Sequence, residues 1–277
     1  MTFSLVAVDP SSGEVGVATQ SKFLAVGAVV PWARAGVGGV ATQAFADLTF
    51  GPRGLELLSG GLPAQTVIDR LLDGDQKREE RQVGVVDANG GAASFTGSGC
   101  FEHAGSLTGE GFACQGNILA SDRVVPAMAD AFGAASGALA DRLLEALRSA
   151  QAEGGDRRGQ ESAALLVVKE GGGYGGNNDR YVDLRVDDHP APIEELARLL
   201  GLHRLYFEPS DPTTLVPIDD GLREEIERRL AGLGRLDAGA DAVDGLFAYV
   251  AMENLEQRWA GPDRIDPVVL EYLRNDG

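Results

Sequence analysis

The sequence is short of the residues that build metal and redox centres. It has two cysteines, Cys100 and Cys114, and three histidines, His103, His189 and His203. Neither cysteine sits in a Cys-x-x-Cys or Cys/His ligand spacing, so no structural zinc site is expected, and no cofactor is called for. Basic charge is scarce as well: 24 Lys and Arg stand against 42 Asp and Glu, a formal net charge of −18. That balance disfavours nucleic acid, whose phosphate backbone wants a basic face, and an anionic membrane surface. No apolar run approaches the roughly 18 residues of a membrane-spanning helix. The N-terminus lacks a basic region followed by an apolar core, so no signal peptide is expected and the compartment is read as cytoplasmic, with reduced thiols.

What the chain does have is apolar periodicity broken by turns. The hydrophobic fraction is 44% over 277 residues, with 38 glycines gathered between apolar runs. Two β-rich runs, 1–9 and 14–22, flank the turn Pro10–Gly13 and read as a hairpin. Apolar runs at 26–33 and 37–44 read as two further strands. Helical spacing follows over 45–60 and 63–72, then a strand pair at 82–87 and 92–96, a glycine-punctuated piece at 97–116, and helices near 124–132 and 138–151. Strands at 163–168 and 181–187 and a helix at 193–206 complete this part. Strands and helices arrive in blocks, and hairpins imply antiparallel pairing. The expectation is an α+β fold: a four-layer α-β-β-α sandwich of two antiparallel sheets over residues 1–208. Pro209, Pro212 and Pro217 mark a linker, and 209–277 reads as a small helical module.

The residue that gives this pattern a chemical meaning is Thr2. A threonine hydroxyl is a poor nucleophile without a base beside it. If Met1 is removed, the first strand begins with a threonine carrying a free α-amine, whose pKa of roughly 7.7–8.0 leaves a useful neutral fraction near pH 7. One residue then supplies nucleophile and base together. The bland alternative is that threonine is simply a common second residue.

Several stretches are similar to one prokaryotic family. They are the opening Met1-Thr2-Phe3-Ser4-Leu5-Val6-Ala7, the run Phe23 to Ala33, Ala41-Thr42-Gln43-Ala44, Gln115-Gly116-Asn117, Gly155-Asp156-Arg157-Arg158-Gly159, Gly172 to Gly176 and Asp179 to His189. Together they resemble domain-of-unknown-function family 1028 over about residues 1–205. The tail, with Asn254-Leu255-Glu256-Gln257-Arg258-Trp259, resembles a small module associated with peptidoglycan binding. The resemblance implies a fold like that of N-terminal-nucleophile (Ntn) hydrolases. Thr2 then matches a leading nucleophile. Thr42 and Gln43 end the fourth strand, where such relatives offer backbone N–H groups to an oxyanion. Gln20 stands where proteasome-like relatives place an aspartate. The third strand, taken for this comparison over Ala28 to Ala35, offers Arg34 as its one basic residue and no lysine.

Other candidates come with alternatives. Asn117, in a glycine turn, could donate to an oxyanion or merely fix the turn. Asp156, Arg157 and Arg158 could hold the α-amine or a substrate carboxylate, or form an ion pair at a sheet edge. Ser162 could assist the amine. Cys100 and His103 are a conceivable nucleophile–base pair without a supporting local signature. Asp179, Asp183, Asp187 and Asp188 could bind a cation but read as a solvated acidic loop, so no metal is expected. The expected function is an Ntn-type amidohydrolase acting on a small-molecule amide or peptide, in a homo-oligomer. The alternative is a non-catalytic binding or scaffold protein on the same fold.

Overall fold

A computed structural model describes residues 2–276 of the chain. It separates into two compact units, residues 1–199 and 200–277. In the first, the strands are β1 (Thr2–Asp9), β2 (Glu14–Ser21), β3 (Pro31–Arg34), β4 (Gly38–Ala44), β5 (Arg81–Asp87), β6 (Ala92–Thr96), β7 (Gly105–Gly109), β8 (Phe112–Asn117), β9 (Ser162–Val168) and β10 (Arg180–Val186). The helices are α1 (Phe50–Ser59), α2 (Ala64–Leu72), α3 (Val124–Ala134), α4 (Leu139–Ala152) and the longer α5 (Pro192–Phe207), which starts in this unit.

The strands form two antiparallel sheets. One has six strands in the order β10-β9-β2-β1-β8-β7, the other four in the order β3-β4-β5-β6. They face each other, with α3 and α4 outside the large sheet and α1 and α2 outside the small one. This is the α+β, four-layer α-β-β-α arrangement that the blocks of strands and helices imply. Each outer layer is built by helical stripes. Leu139, Leu143, Leu144 and Leu147 recur at helical spacing on α4 and are buried. Phe50, Leu55 and Leu58 of α1, with Val67, Ile68 and Leu71 of α2, pack on Val40, Val83 and Val85 of the small sheet.

The layer between the sheets follows from strand alternation. Its aliphatic part contains Val6 and Val8 of β1, Val15 and Val17 of β2, Ala41 of β4, Val86 of β5, Ala113 of β8, and Leu166 and Val168 of β9. Gly39 has no Cβ because one would stand 2.7 Å from Val6 Cγ2, so the sheets touch there almost backbone to side chain.

Two parts of the strand pattern differ from what the sequence suggests. The run 26–33 yields only the short strand β3; Val26–Ala28 is a 3₁₀ turn. The turn is tethered because the Val26 N–H donates to the Ser162 hydroxyl at 3.0 Å and Ala25 takes a left-handed φ of 53°. Conversely, the glycine-punctuated piece 97–116 contains the hairpin β7–β8. Its few apolar residues hide it, yet β8 lies beside β1 in the middle of the large sheet.

The second unit contains α6 (Asp220–Gly232), α7 (Ala242–Met252) and α8 (Pro267–Asn275), with a two-stranded ribbon of β11 (Val216–Pro217) and β12 (Arg264–Ile265). Asp219, Asp241 and Asp266 cap the three helices through their carboxylates. Ile226, Leu230, Leu246, Tyr249, Leu255, Val269 and Leu273 form its core. Arg258 is nearly buried and fully engaged: it pairs with Asp266 at 3.0 Å and donates to the carbonyls of Leu205 and Arg204, each at 2.7 Å.

On its surface, Glu225 of α6 accepts a forked pair of bonds from Arg274 at 2.7 and 2.8 Å and one from Arg229 at 3.1 Å. The Arg274 bonds are the main cause that lowers the Glu225 pKa from 4.5 to about 2. A carboxyl depressed in the folded state stabilises above its unfolded pKa and loses that contribution as pH falls through the folded value. Acid unfolding of this unit should therefore steepen between pH 4.5 and about 2. In Glu225→Gln the same titration, followed by far-UV circular dichroism, should be flatter across that window.

Candidate functional site

The aliphatic layer between the sheets ends abruptly at one end of the strands. Along β1 the residues facing the small sheet run Val8, Val6, Ser4, Thr2. On β2 they run Val15, Val17, Thr19, Ser21, and on β8 Ala113, Gln115, Asn117. The small sheet contributes Gln43 of β4 and Gln82 of β5, which are register partners. All these polar side chains are uncharged, and none is more than 6% exposed.

Buried polar groups must find one another, and here most do; Gln115 Oε1 is the member left without a partner. The Thr2 hydroxyl donates to Ser21 Oγ at 3.1 Å. Gln43 Nε2 donates to the Thr2 carbonyl at 3.1 Å and to Gln82 Oε1 at 2.8 Å. The Ser4 hydroxyl donates to Gln43 Oε1 at 2.6 Å and accepts from Gln115 Nε2 at 2.6 Å. Asn117 Nδ2 donates to Gln82 Oε1 at 2.8 Å, and Gln82 Nε2 donates to the Gly116 carbonyl at 2.8 Å and to Thr96 Oγ1 at 2.9 Å. Gln115 lies over Gly84: a Cβ on that glycine would meet Gln115 Oε1 at 2.2 Å, so only glycine admits the amide. Thr2 and Asn117 are direct partners across β1 and β8.

The strand ends open onto a cavity of about 500 Å³ lined by Ala44, Phe45, Glu80, Gly99, Cys100, Phe101, Asn117 and Ile118. Two of these residues are strained. Ala44 follows Gln43 with φ 65°, and Ile118 follows Asn117 with φ 49°. Left-handed backbone is unusual for any side chain and an outlier for a β-branched one. Such strain costs on the order of 1–3 kcal/mol per residue and gathers at functional sites. Here it falls just past Gln43, which donates to the Thr2 carbonyl, and Asn117, the register partner of Thr2.

Asp156 stands beside this end. Its side chain is buried and accepts from the Lys22 N–H at 2.8 Å and the Arg158 N–H at 2.8 Å, with the Arg158 guanidinium at 3.2 Å. It thereby ties the residue after Ser21 to the 156–158 turn, and Asp156 itself bridges to Leu119 beyond β8. Arg158 is thus the ion-pair partner of Asp156. Arg157 is exposed, and its N–H donates to the Ile118 carbonyl at 3.3 Å.

The other candidates lie elsewhere or face another way. Thr42 alternates onto the helix side; its N–H donates to Val30 O at 3.2 Å and its hydroxyl to Asp47 O at 3.4 Å. Gln20 pairs with Phe3 and so projects away from the Thr2 face, where its buried amide has no hydrogen-bond partner; Ser21 holds the place beside Thr2 instead. The Ser162 hydroxyl is engaged with Phe23 O and Val26 N–H, holding the 22–26 loop. Arg34 pairs with Gly38 at the far end of β4, about 17 Å of strand from Gln43. It donates to Ser59 Oγ at 2.9 Å and lines a separate cavity of about 310 Å³ with Trp32, Arg180 and Arg185. Lys22 pairs with Glu161 at 3.2 Å.

Cys100 and His103 line a third cavity of about 840 Å³, larger than the one at Asn117. Burial pushes the Cys100 thiol above its usual pKa, which opposes thiolate formation. Asp179 and Asp183 are occupied by the Gly171 N–H and by Arg180 and Arg185. Among the described residues no group of three or more His, Cys, Asp or Glu is placed to hold a metal ion. No helix among them is long and apolar enough to cross a membrane.

Reading motifs one at a time misses Ser4, Gln82 and Gln115. The signal for them is polar residues at alternate positions inside otherwise apolar strands. Replacing the central acceptor tests the network. Gln82→Leu removes the acceptor that Gln43 Nε2 and Asn117 Nδ2 share. Gln43 keeps the Thr2 carbonyl, but Asn117 Nδ2 loses its bond, and a buried group so orphaned costs about 1–3 kcal/mol. A loss of at least that size is expected in chemical denaturation of Gln82→Leu.

The comparisons with known proteins agree with this architecture. The family model described as "Family of unknown function (DUF1028)" matches residues 2–196, and that described as "Putative peptidoglycan binding domain" matches residues 206–273. The crystal structure of a DUF1028 protein from Silicibacter pomeroyi is 33% identical and superposes with a TM-score of 0.67, covering 73% of this chain and 86% of that one. A search of curated proteins found no match. With the first family spanning most of its length and the second its tail, the chain belongs to the DUF1028 family and carries a match to a peptidoglycan-binding domain.

Proposed function

We infer that the protein is an N-terminal-nucleophile-type amidohydrolase that cleaves a small amide with Thr2. The observation that carries this reading is the position of Thr2. It leads one of the two central strands of the large sheet, buried, hydrogen-bonded to Ser21 and opposite Asn117, which lines a cavity whose walls bend away through strained backbone. Met1 lies outside the described residues, and the mechanism begins once the chain starts at Thr2.

The neutral α-amine then accepts the hydroxyl proton as Oγ1 attacks the amide carbonyl. The oxyanion that forms needs a preorganised donor. Asn117 is the candidate: its side-chain amide has two N–H groups, and one Gln82 oxygen takes one of them. The ammonium returns the proton to the departing amine, leaving a Thr2 ester. Water, deprotonated by the same amine, then attacks that ester, and its proton goes back to Oγ1 as the acid is released. Ser21 orients the hydroxyl. Asp156 acts as a positioning residue through Lys22 and Arg158.

A second reading has its own support. The peptidoglycan-binding match over residues 206–273 fits a binding or scaffold protein, with the sandwich serving as a platform. Retention on purified cell-wall sacculi by the full chain, lost on deletion of residues 209–277, would favour it.

The catalytic reading is tested by mass spectrometry of the protein from its native host and by kinetics. The expected N-terminus is Thr2. Thr2→Ala should lower amide turnover by at least about 10³-fold, as removal of a nucleophile does. Activity should fall as pH drops through the α-amine pKa of roughly 7.7–8.0, because the ammonium cannot take the hydroxyl proton. Retained Met1, or a Thr2→Ala variant as active as the wild type, would overturn the mechanism.

A further inference from the structure

The cavity beside Thr2 has walls that the fold does not use for packing. Phe45 and Phe101 both line it, yet remain 54% and 71% exposed. Neither is loosely held. The Phe45 ring lies beneath Lys77 Nζ at 4.2 Å and near the Arg81 guanidinium at 5.6 Å, and its carbonyl accepts from Arg81. Arg81 is itself fixed by Asp75 at 2.7 Å. The Phe101 carbonyl accepts from the strained Ile118 at 3.1 Å. The side chains are therefore anchored through their backbone while ring surface stays open, an arrangement suited to stacking or apolar contact with a ligand.

The rest of the lining sets the ligand's polarity. Ala44, Gly99 and Ile118 are apolar or small, and Cys100 is held neutral by burial. Of the described residues lining the cavity, Glu80 alone is charged, and its side chain lies near Gly99. The nearest cations, Lys77 and Arg81, lie against the Phe45 ring and not among the lining residues, and Arg81 is paired with Asp75. The charge an incoming anion meets in the lining is therefore the Glu80 carboxylate, which repels it. Asn117 supplies the amide group that a ligand carbonyl needs at the inner end.

We propose that this cavity binds the acyl side of an amide whose side chain is aromatic or bulky aliphatic, and discriminates against anionic side chains. The inference rests on the Thr2 reading for the reaction that follows, but binding itself needs no turnover. It can therefore be measured separately.

Two probes decide it: N-acetyl-phenylalaninamide and the carboxamide of N-acetyl-aspartic acid. Their affinities are measured by calorimetry on the Thr2→Ala protein, and their hydrolysis on the wild type. The aromatic probe should bind at least about tenfold tighter than the anionic one. Phe101→Ala, a substitution at an exposed ring, should weaken the aromatic probe about five- to tenfold, in keeping with the loss of one aromatic contact. Phe101→Leu should restore part of that loss. Equal affinities, no binding of the aromatic probe in the millimolar range, or no effect of Phe101→Ala would overturn the ligand class, even if the wild type hydrolyses an amide. Selective, Phe101-dependent binding without any hydrolysis would leave the ligand class standing and remove the Thr2 mechanism instead.

Discussion

One end of the space between the two sheets is filled with neutral polar side chains, and the rest of the site follows from how they are satisfied. An aliphatic layer of Val6, Val8, Val15, Val17, Leu166 and Val168 gives way within two residues to Thr2, Ser4, Ser21, Gln43, Gln82, Gln115 and Asn117. Burying so many amides and hydroxyls is tolerable only if they bond to one another, since each orphan is expensive in a low-dielectric interior. The network meets most of that demand, leaving Gln115 Oε1 unpartnered, with Gln82 at its centre, accepting from both Gln43 and Asn117. Its members come from both sheets, so it fixes the position of β1 relative to β4, β5 and β8. Polarity in place of apolar packing at that spot holds a strand's first residue rigidly beside a cavity.

Strain and anchoring extend the same logic outward. Ala44 and Ile118 adopt left-handed backbone directly after Gln43 and Asn117. The two chains therefore leave the sheets at once, and the strand ends border open space instead of continuing as a packed layer. Arg81 then carries the small-sheet side, through Asp75 and the Phe45 carbonyl, while the Ile118 N–H holds the loop bearing Phe101. Asp156 does the corresponding work on the far side of Ser21, joining Lys22 to the 156–158 turn. The second unit stands on different interactions: carboxylate caps, an apolar core and the Arg258–Asp266 pair.

Much of the fold is legible in the sequence because period-2 and period-3.6 apolar patterns are imposed by burial. The opening hairpin, the 82–96 hairpin, the α3–α4 pair and the strands at 162–168 and 180–186 all carry such patterns. The hairpin β7–β8 is not legible, since the residues that β8 turns toward the small sheet at its end are Gln115 and Asn117, which satisfy a polar network and not an apolar one. The strand expected over 26–33 shortens to four residues because a side chain remote in sequence, Ser162, captures the Val26 N–H. At the site, Thr2, Asn117 and Asp156 are readable as motif residues. Which neighbour faces Thr2 is not, because that depends on register: alternation selects Ser21 over Gln20 and Gln43 over Thr42. Arg34 shows the same limit from the other direction, being placed by pairing at the opposite end of β4.

On the function proposed above, this polar end of the sandwich presents Thr2 as a self-activated nucleophile. The most direct measurement is to treat the mature protein with a β-lactone, whose ring opens on acylation, and to map the adduct by tandem mass spectrometry. An ester on the Thr2 hydroxyl, absent when the α-amine has been chemically blocked beforehand, is the expected result. An adduct confined to Cys100, or labelling of Thr2 that is indifferent to the state of the amine, would contradict it.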